Sequence, residues 1–76
     1  MPRLAPTNWQ TQVKIFSKDG FTIDRTKGDH IAMTKSGIIR PVIIPKYSEV
    51  GRDIIKSNMK TASMSRDRYF ELLNQI

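Results

Sequence analysis

A single histidine stands in this chain, and it follows a basic, glycine-containing stretch, Arg25-Thr26-Lys27-Gly28-Asp29-His30. Imidazole titrates nearest neutrality of all side chains, so a histidine at such a turn has the parts for acid-base work on a phosphodiester. The plainer alternative is that His30 is a surface or packed strand residue with no chemistry. Lys27-Gly28-Asp29 is a turn cluster between two apolar-alternating runs, Phe21 to Arg25 and His30 to Met33. It predicts a β-hairpin with His30 as the first residue after the loop.

The rest of the composition narrows the chemistry. With no cysteine there is no disulfide framework, no thiolate nucleophile and no thiolate zinc site, and one histidine makes a histidine-based metal site improbable. Thirteen Lys and Arg against seven Asp and Glu give a net charge of +6 over 76 residues, which makes nucleic acid the first partner to consider. A chain of this length forms one domain and buries about 60% of its unfolded surface, so the core is small. Met1 to Pro6 lacks the apolar run of a signal peptide, and no stretch approaches the roughly 20 apolar residues that span a bilayer. A cytoplasmic protein with no membrane contact is expected.

These residues must be positioned by elements that the pattern predicts in order. Residues 1–6, with two prolines, read as an extended lead-in to a single domain over 1–76. Thr7 or Asn8 caps a helix whose buried face carries Trp9, Val13 and Phe16 at i, i+4, i+7, while Gln10, Lys14 and Lys18 form a polar stripe. Trp9 has the surface to stack on a base, but this spacing favours the core. Asp19-Gly20 ends the helix.

Phe21 and Ile23 then alternate with polar residues in a first strand, and Ile31 and Met33 do so in a second. To share one face they must pair Ile23 with Met33 and Thr26 with His30, leaving Lys27, Gly28 and Asp29 as a three-residue loop and turning His30 away from the apolar face. Ser36-Gly37 predicts a two-residue turn pairing Met33 with Arg40, Ile31 with Val42 and His30 with Ile43. Pro41 then lies opposite Ala32 on an edge strand, where its missing N–H is tolerated.

From about Val50 to Lys60 a second helix buries Ile55, Met59 and Ala62 with Ile54 beside them, and exposes Arg52, Lys56 and Lys60 as a basic row. Ser65 caps a third helix with Asp67 in its first turn and Tyr69, Leu72, Leu73 and Ile76 on its apolar face. The fold class is α+β: α-β-β-β-α plus a C-terminal helix, with a three-stranded antiparallel sheet in order 1-2-3 and helices on one face. That is the arrangement of double-stranded-RNA-binding domains. Fold analogy alone says binder rather than enzyme.

Particular residues resemble a family. Lys18-Asp19-Gly20-Phe21, then Arg25 to His30, Val42-Ile43-Ile44-Pro45-Lys46, and Ile54 through Ser65 appear in the order and at the spacings of the HicA toxins. The resemblance covers nearly the whole chain from about residue 8. It implies a double-stranded-RNA-binding-like fold, mRNA cleavage without the ribosome, and neutralisation by a HicB-type antitoxin. The family's catalytic histidine carries over to His30. Asp29 stands where the family has serine, Ile31 where a second histidine is often found, and Lys46 where a histidine often follows the third-strand proline.

The expected activity is that of a metal-independent endoribonuclease with no cofactor. His30 takes the proton of a ribose 2′-hydroxyl so that the oxygen attacks the adjacent phosphate. Lys27 is the nearest cation to stabilise the developing charge, while Lys35, Arg40 and Lys46 position the strand. Gly28, counted with this RNA-binding set, serves backbone conformation more than phosphate contact. Asp29 either orients the imidazole or initiates the strand. The partners implied are mRNA and the antitoxin, with the toxin itself a monomer. A non-catalytic RNA-binding module needs the same basic surface without His30, and a pure interaction protein needs only the charge.

Overall fold

The computed structural model describes residues 3–76; Met1 and Pro2 of the expected lead-in lie outside the described residues. Helix α1, Trp9–Lys18, begins where Asn8 in extended backbone accepts a 2.8 Å hydrogen bond from the Thr11 N–H, filling one of the donors a helix start leaves open. It closes through Gly20 at φ +101°, whose N–H donates to the Ser17 carbonyl while Phe21 donates to the Phe16 carbonyl. The Phe21 ring meets Phe16 edge-on at 5.6 Å, so the chain enters the sheet with an apolar contact already made.

Strands β1 (Thr22–Lys27), β2 (His30–Thr34) and β3 (Val42–Pro45) form one antiparallel sheet in the order β1-β2-β3, followed by α2 (Arg52–Thr61) and α3 (Arg66–Leu73). The α+β layout and the strand order are those expected. Phe16, Phe21, Met33, Val42, Ile44, Ile55, Tyr69 and Leu72 are among the residues that form the core. Both α1 and α2 pack against β3. Asn58 of α2 donates a 2.9 Å bond to the Ile43 carbonyl, satisfying an acceptor on the outer edge of β3.

Several details differ from expectation. In the first hairpin Ile23 does face Met33, but the ladder slips at Asp24, after which Arg25 faces Ala32, Thr26 faces Ile31 and Lys27 faces His30. Asp24 is the extra residue of a β-bulge, and the loop shrinks to Gly28 and Asp29. Ile23 itself is 52% exposed and every residue of β1 is exposed, because the helices lie over β3 at the far side of the sheet.

In the second hairpin the Ser36-Gly37 turn forms, with Ile38 donating to the Lys35 carbonyl, yet the pairing is displaced by two residues: Met33 faces Val42 and Ile31 faces Ile44. The expected register would have set the Arg40 guanidinium opposite buried Met33, at a large desolvation cost. A shift of two keeps every side chain on its face, so the same apolar residues are buried. Pro41 falls outside β3, and Pro45 is the proline of the edge strand, opposite His30.

On α1 the buried stripe runs through Gln12, Ile15 and Phe16, leaving Trp9 and Val13 partly buried. Buried Gln12 is satisfied within this stripe: its Nε2 donates to the Tyr69 hydroxyl and to Thr7 Oγ1, each at 2.8 Å. Within the lead-in Leu4 is buried, and just after it Thr7 is bridged to Val50 through both backbone groups. On α3, Ser65 caps as expected, whereas Ile76 lies beyond the helix and is half-exposed.

Candidate functional site

The sheet face turned away from the helices carries a depression of about 360 Å³. Its floor is Ala32 and Thr34 of β2 with Pro41 and Ile43, and its rim holds Asp24, Arg25, Lys27 and His30. The bulge decides this composition. In the regular register Arg25 would share the buried side with Ile23; after the slip at Asp24 it pairs with Ala32, so Arg25 and Lys27 both face outward beside His30.

The turn that carries His30 is held from two sides. Gly28 has φ +58°, a conformation side chains resist, and a Cβ there would meet nothing within 4 Å, so the glycine serves the backbone and not a close approach. The Asp29 carbonyl accepts a 2.7 Å bond from the Lys46 N–H, extending the β2–β3 ladder into the turn. His30 pairs with Lys27 on one side and Pro45 on the other. Its side chain is about half-exposed, and its Nδ1 lies 2.9 Å from Asp29 Oδ1.

Of the residues expected at the site, the structure brings together His30, Lys27 and Gly28. Lys46 reaches the same end of the sheet through its backbone, while its ammonium lies 5.6 Å over the Trp9 ring. Lys35 is engaged elsewhere: its Nζ lies 3.5 Å from Asp19 Oδ2 and 5.7 Å over the Phe21 ring, bracing the end of α1. Arg40 sits in the β2–β3 connection and lines a separate hollow with Ile38, Ile39, Thr61 and Ser63.

Arg25 and the apolar floor are the components that sequence reasoning missed. The signal for them was Gly28 as the first residue of a two-residue loop, which makes Lys27 and His30 the closing pair and forces a bulge to keep Ile23 beside Met33. The arrangement offers an imidazole, two cations and the Asp24 carboxylate above a largely apolar floor, in an open cleft that admits a flexible polyanion. The cations suit phosphate and the floor suits a base.

A family model described as HicA toxin of bacterial toxin-antitoxin matches residues 9–64. That span runs from the first residue of α1 to the close of α2 and includes the whole depression. No curated protein and no solved structure matches the chain.

Proposed function

The chain belongs to the HicA toxin family, and from that premise we propose that it is an endoribonuclease that cleaves mRNA at the open sheet face, with His30 as general base and acid. The observation that carries this reading is the gathering of His30 with Lys27 and Arg25 on one exposed face, in a chain whose net charge is +6.

In the proposed reaction His30 takes the proton from a ribose 2′-hydroxyl. The freed oxygen attacks the adjacent phosphorus, and the bond from phosphorus to the 5′-oxygen breaks. The imidazolium returns its proton to the leaving oxygen, so the products are a 2′,3′-cyclic phosphate end and a 5′-hydroxyl end. Lys27 and Arg25 stabilise the charge that builds on the phosphate oxygens. Membership in a toxin-antitoxin family implies an antitoxin partner. We assign that partner to the HicB type, with an acidic surface that covers the His30 face, because the cationic rim favours a complementary charge. No helix among the described residues is long and apolar enough to cross a membrane, compatible with action on mRNA in the cytoplasm.

The test is incubation of the pure protein with a long single-stranded RNA in EDTA, beside the His30→Ala variant. Cleavage by the parent and its loss in the variant is the expected result. Equal cutting by both removes His30 from the chemistry, and RNA binding without cutting by either leaves the non-catalytic RNA-binding module as the function.

A further inference from the structure

We propose that Asp24 selects the base that the depression holds: its carboxylate accepts the imino and amino N–H groups of a guanine whose ring lies on the apolar floor. The proposal rests on the reading above that this face takes single-stranded RNA, though not on cleavage. It begins from the bulge. In a regular strand Asp24 and Arg25 would point to opposite faces, but the ladder sets Ile23 against Met33 and then Arg25 against Ala32, with Asp24 as the extra residue between them. Both neighbours line the one depression, in company with Lys27 and His30.

Folding does not account for this carboxylate. Among the described residues no ion pair holds Asp24, whereas the Asp19 carboxylate is taken up by Lys35 and Arg68. Phosphate does not account for it either, because an ionised carboxylate only accepts hydrogen bonds and repels a polyanion, lowering the affinity that Arg25 and Lys27 give. The groups of RNA that can meet it are donors. Ribose hydroxyls donate in every nucleotide alike, whereas base edges differ. Guanine alone presents two adjacent donors, and these match the two oxygens of a carboxylate as a bidentate pair. Adenine and cytosine set one amino group beside a bare ring nitrogen, and uracil sets its single N–H between two carbonyls, so each brings an acceptor against Asp24. The floor supplies the other half of the site. Ala32, Pro41 and Ile43, the last 40% exposed, offer apolar surface to the face of a base while its Watson–Crick edge is read at the rim, as single strands are recognised.

The experiment titrates labelled protein at low salt with 2′-O-methyl trinucleotides, which lack the attacking hydroxyl, and follows amide chemical shifts. The central base is guanine, hypoxanthine, adenine, cytosine or uracil, and hypoxanthine differs from guanine only in lacking the amino group. The parent should bind the guanine trinucleotide at least about 5-fold more tightly than each of the others, the low end for a bidentate pair because the cleft is open. Asp24→Ala should bind all five alike, and should bind the uracil trinucleotide more tightly than the parent does, since a negative charge has gone. Lys27→Ala should weaken all five and keep the parent's order, because a phosphate contact carries no sequence. Equal affinity of the parent for guanine and hypoxanthine, a guanine preference that survives Asp24→Ala, or no binding of any of the five would each overturn the proposal. If the preference appears as stated and the parent does not cut long single-stranded RNA, the base assignment stands and the nuclease reading falls. If the parent cuts RNA and the titrations show no guanine preference, the nuclease reading stands and Asp24 is not its selector.

Discussion

At His30, chemistry and stability separate. The side chain is half-exposed on the sheet face away from the core, so His30→Ala should shift the melting temperature by no more than a few degrees while RNA cleavage falls about 10²- to 10⁴-fold. Thermal melts alongside cleavage assays decide this, and an unfolded variant would make the histidine structural. The cations divide in the same way. Arg25 and Lys27 line the depression with Asp24, and among the described residues no ion pair holds either of them, whereas Lys35 is tied to Asp19. The logarithm of the RNA binding constant should therefore fall linearly with the logarithm of salt, and Arg25→Ala and Lys27→Ala should each reduce that slope by about 0.7 to 0.9. Lys35→Ala should leave the slope unchanged. Binding titrations at several salt concentrations test all three, and a slope altered by Lys35→Ala alone would move the RNA path off the proposed face.

At the scale of elements, the helix ends show why local chemistry was readable. Asn8, Gly20 and Ser65 act on groups within a few residues of themselves, so their caps follow from residue type. The close of α2 repeats that of α1, with Met64 donating to the Met59 carbonyl and Ser63 to that of Lys60, but here the left-handed residue is Ser63 at φ +54°. Ser63→Gly should relieve that strain and stabilise the fold by about 0.5 to 1 kcal/mol, seen as a higher urea midpoint at constant slope. A lower midpoint would mean that the serine side chain contributes something no contact accounts for. Strand register was less legible, because it depends on what covers each face. Alternation correctly paired Ile23 with Met33, but not the bulge at Asp24, which lets β1 satisfy that pair and the two-residue turn together. Arg25 was overlooked for this reason. The expectation that Ile23 is buried failed on a tertiary fact, that α1 and α2 lie over β3 and leave β1 exposed. The candidate site was thus half visible: His30 and its turn follow from sequence, while the second cation and the apolar floor arise from pairing between strands.

Across the whole molecule, one polar contact joins three distant segments. Gln12 of α1 is buried and donates to Tyr69 of α3 and to Thr7, which is bridged in turn to Val50 before α2. Burial raises the pKa of the Tyr69 hydroxyl, and the bond from Gln12 lowers it by a smaller amount, so the net direction is upward. An unfolded tyrosine loses its proton near pH 10, while the folded one holds it to higher pH. Between those two values the unfolded chain binds fewer protons than the native one, so stability falls as pH rises through the window; below about pH 9 this group contributes no pH dependence. Tyr69→Phe cannot ionise. It should lose about 1 kcal/mol at neutral pH from the missing Gln12 bond, and above pH 10 it should decline less steeply than the parent. Lysine titration acts on both proteins alike, so the difference between their melting temperatures from pH 8 to 11 isolates the tyrosine. The two curves should converge with rising pH; curves that remain parallel would mean that Tyr69 does not hold its proton beyond the ordinary range, and that opening of the Thr7, α1 and α3 junction is not what alkali brings about.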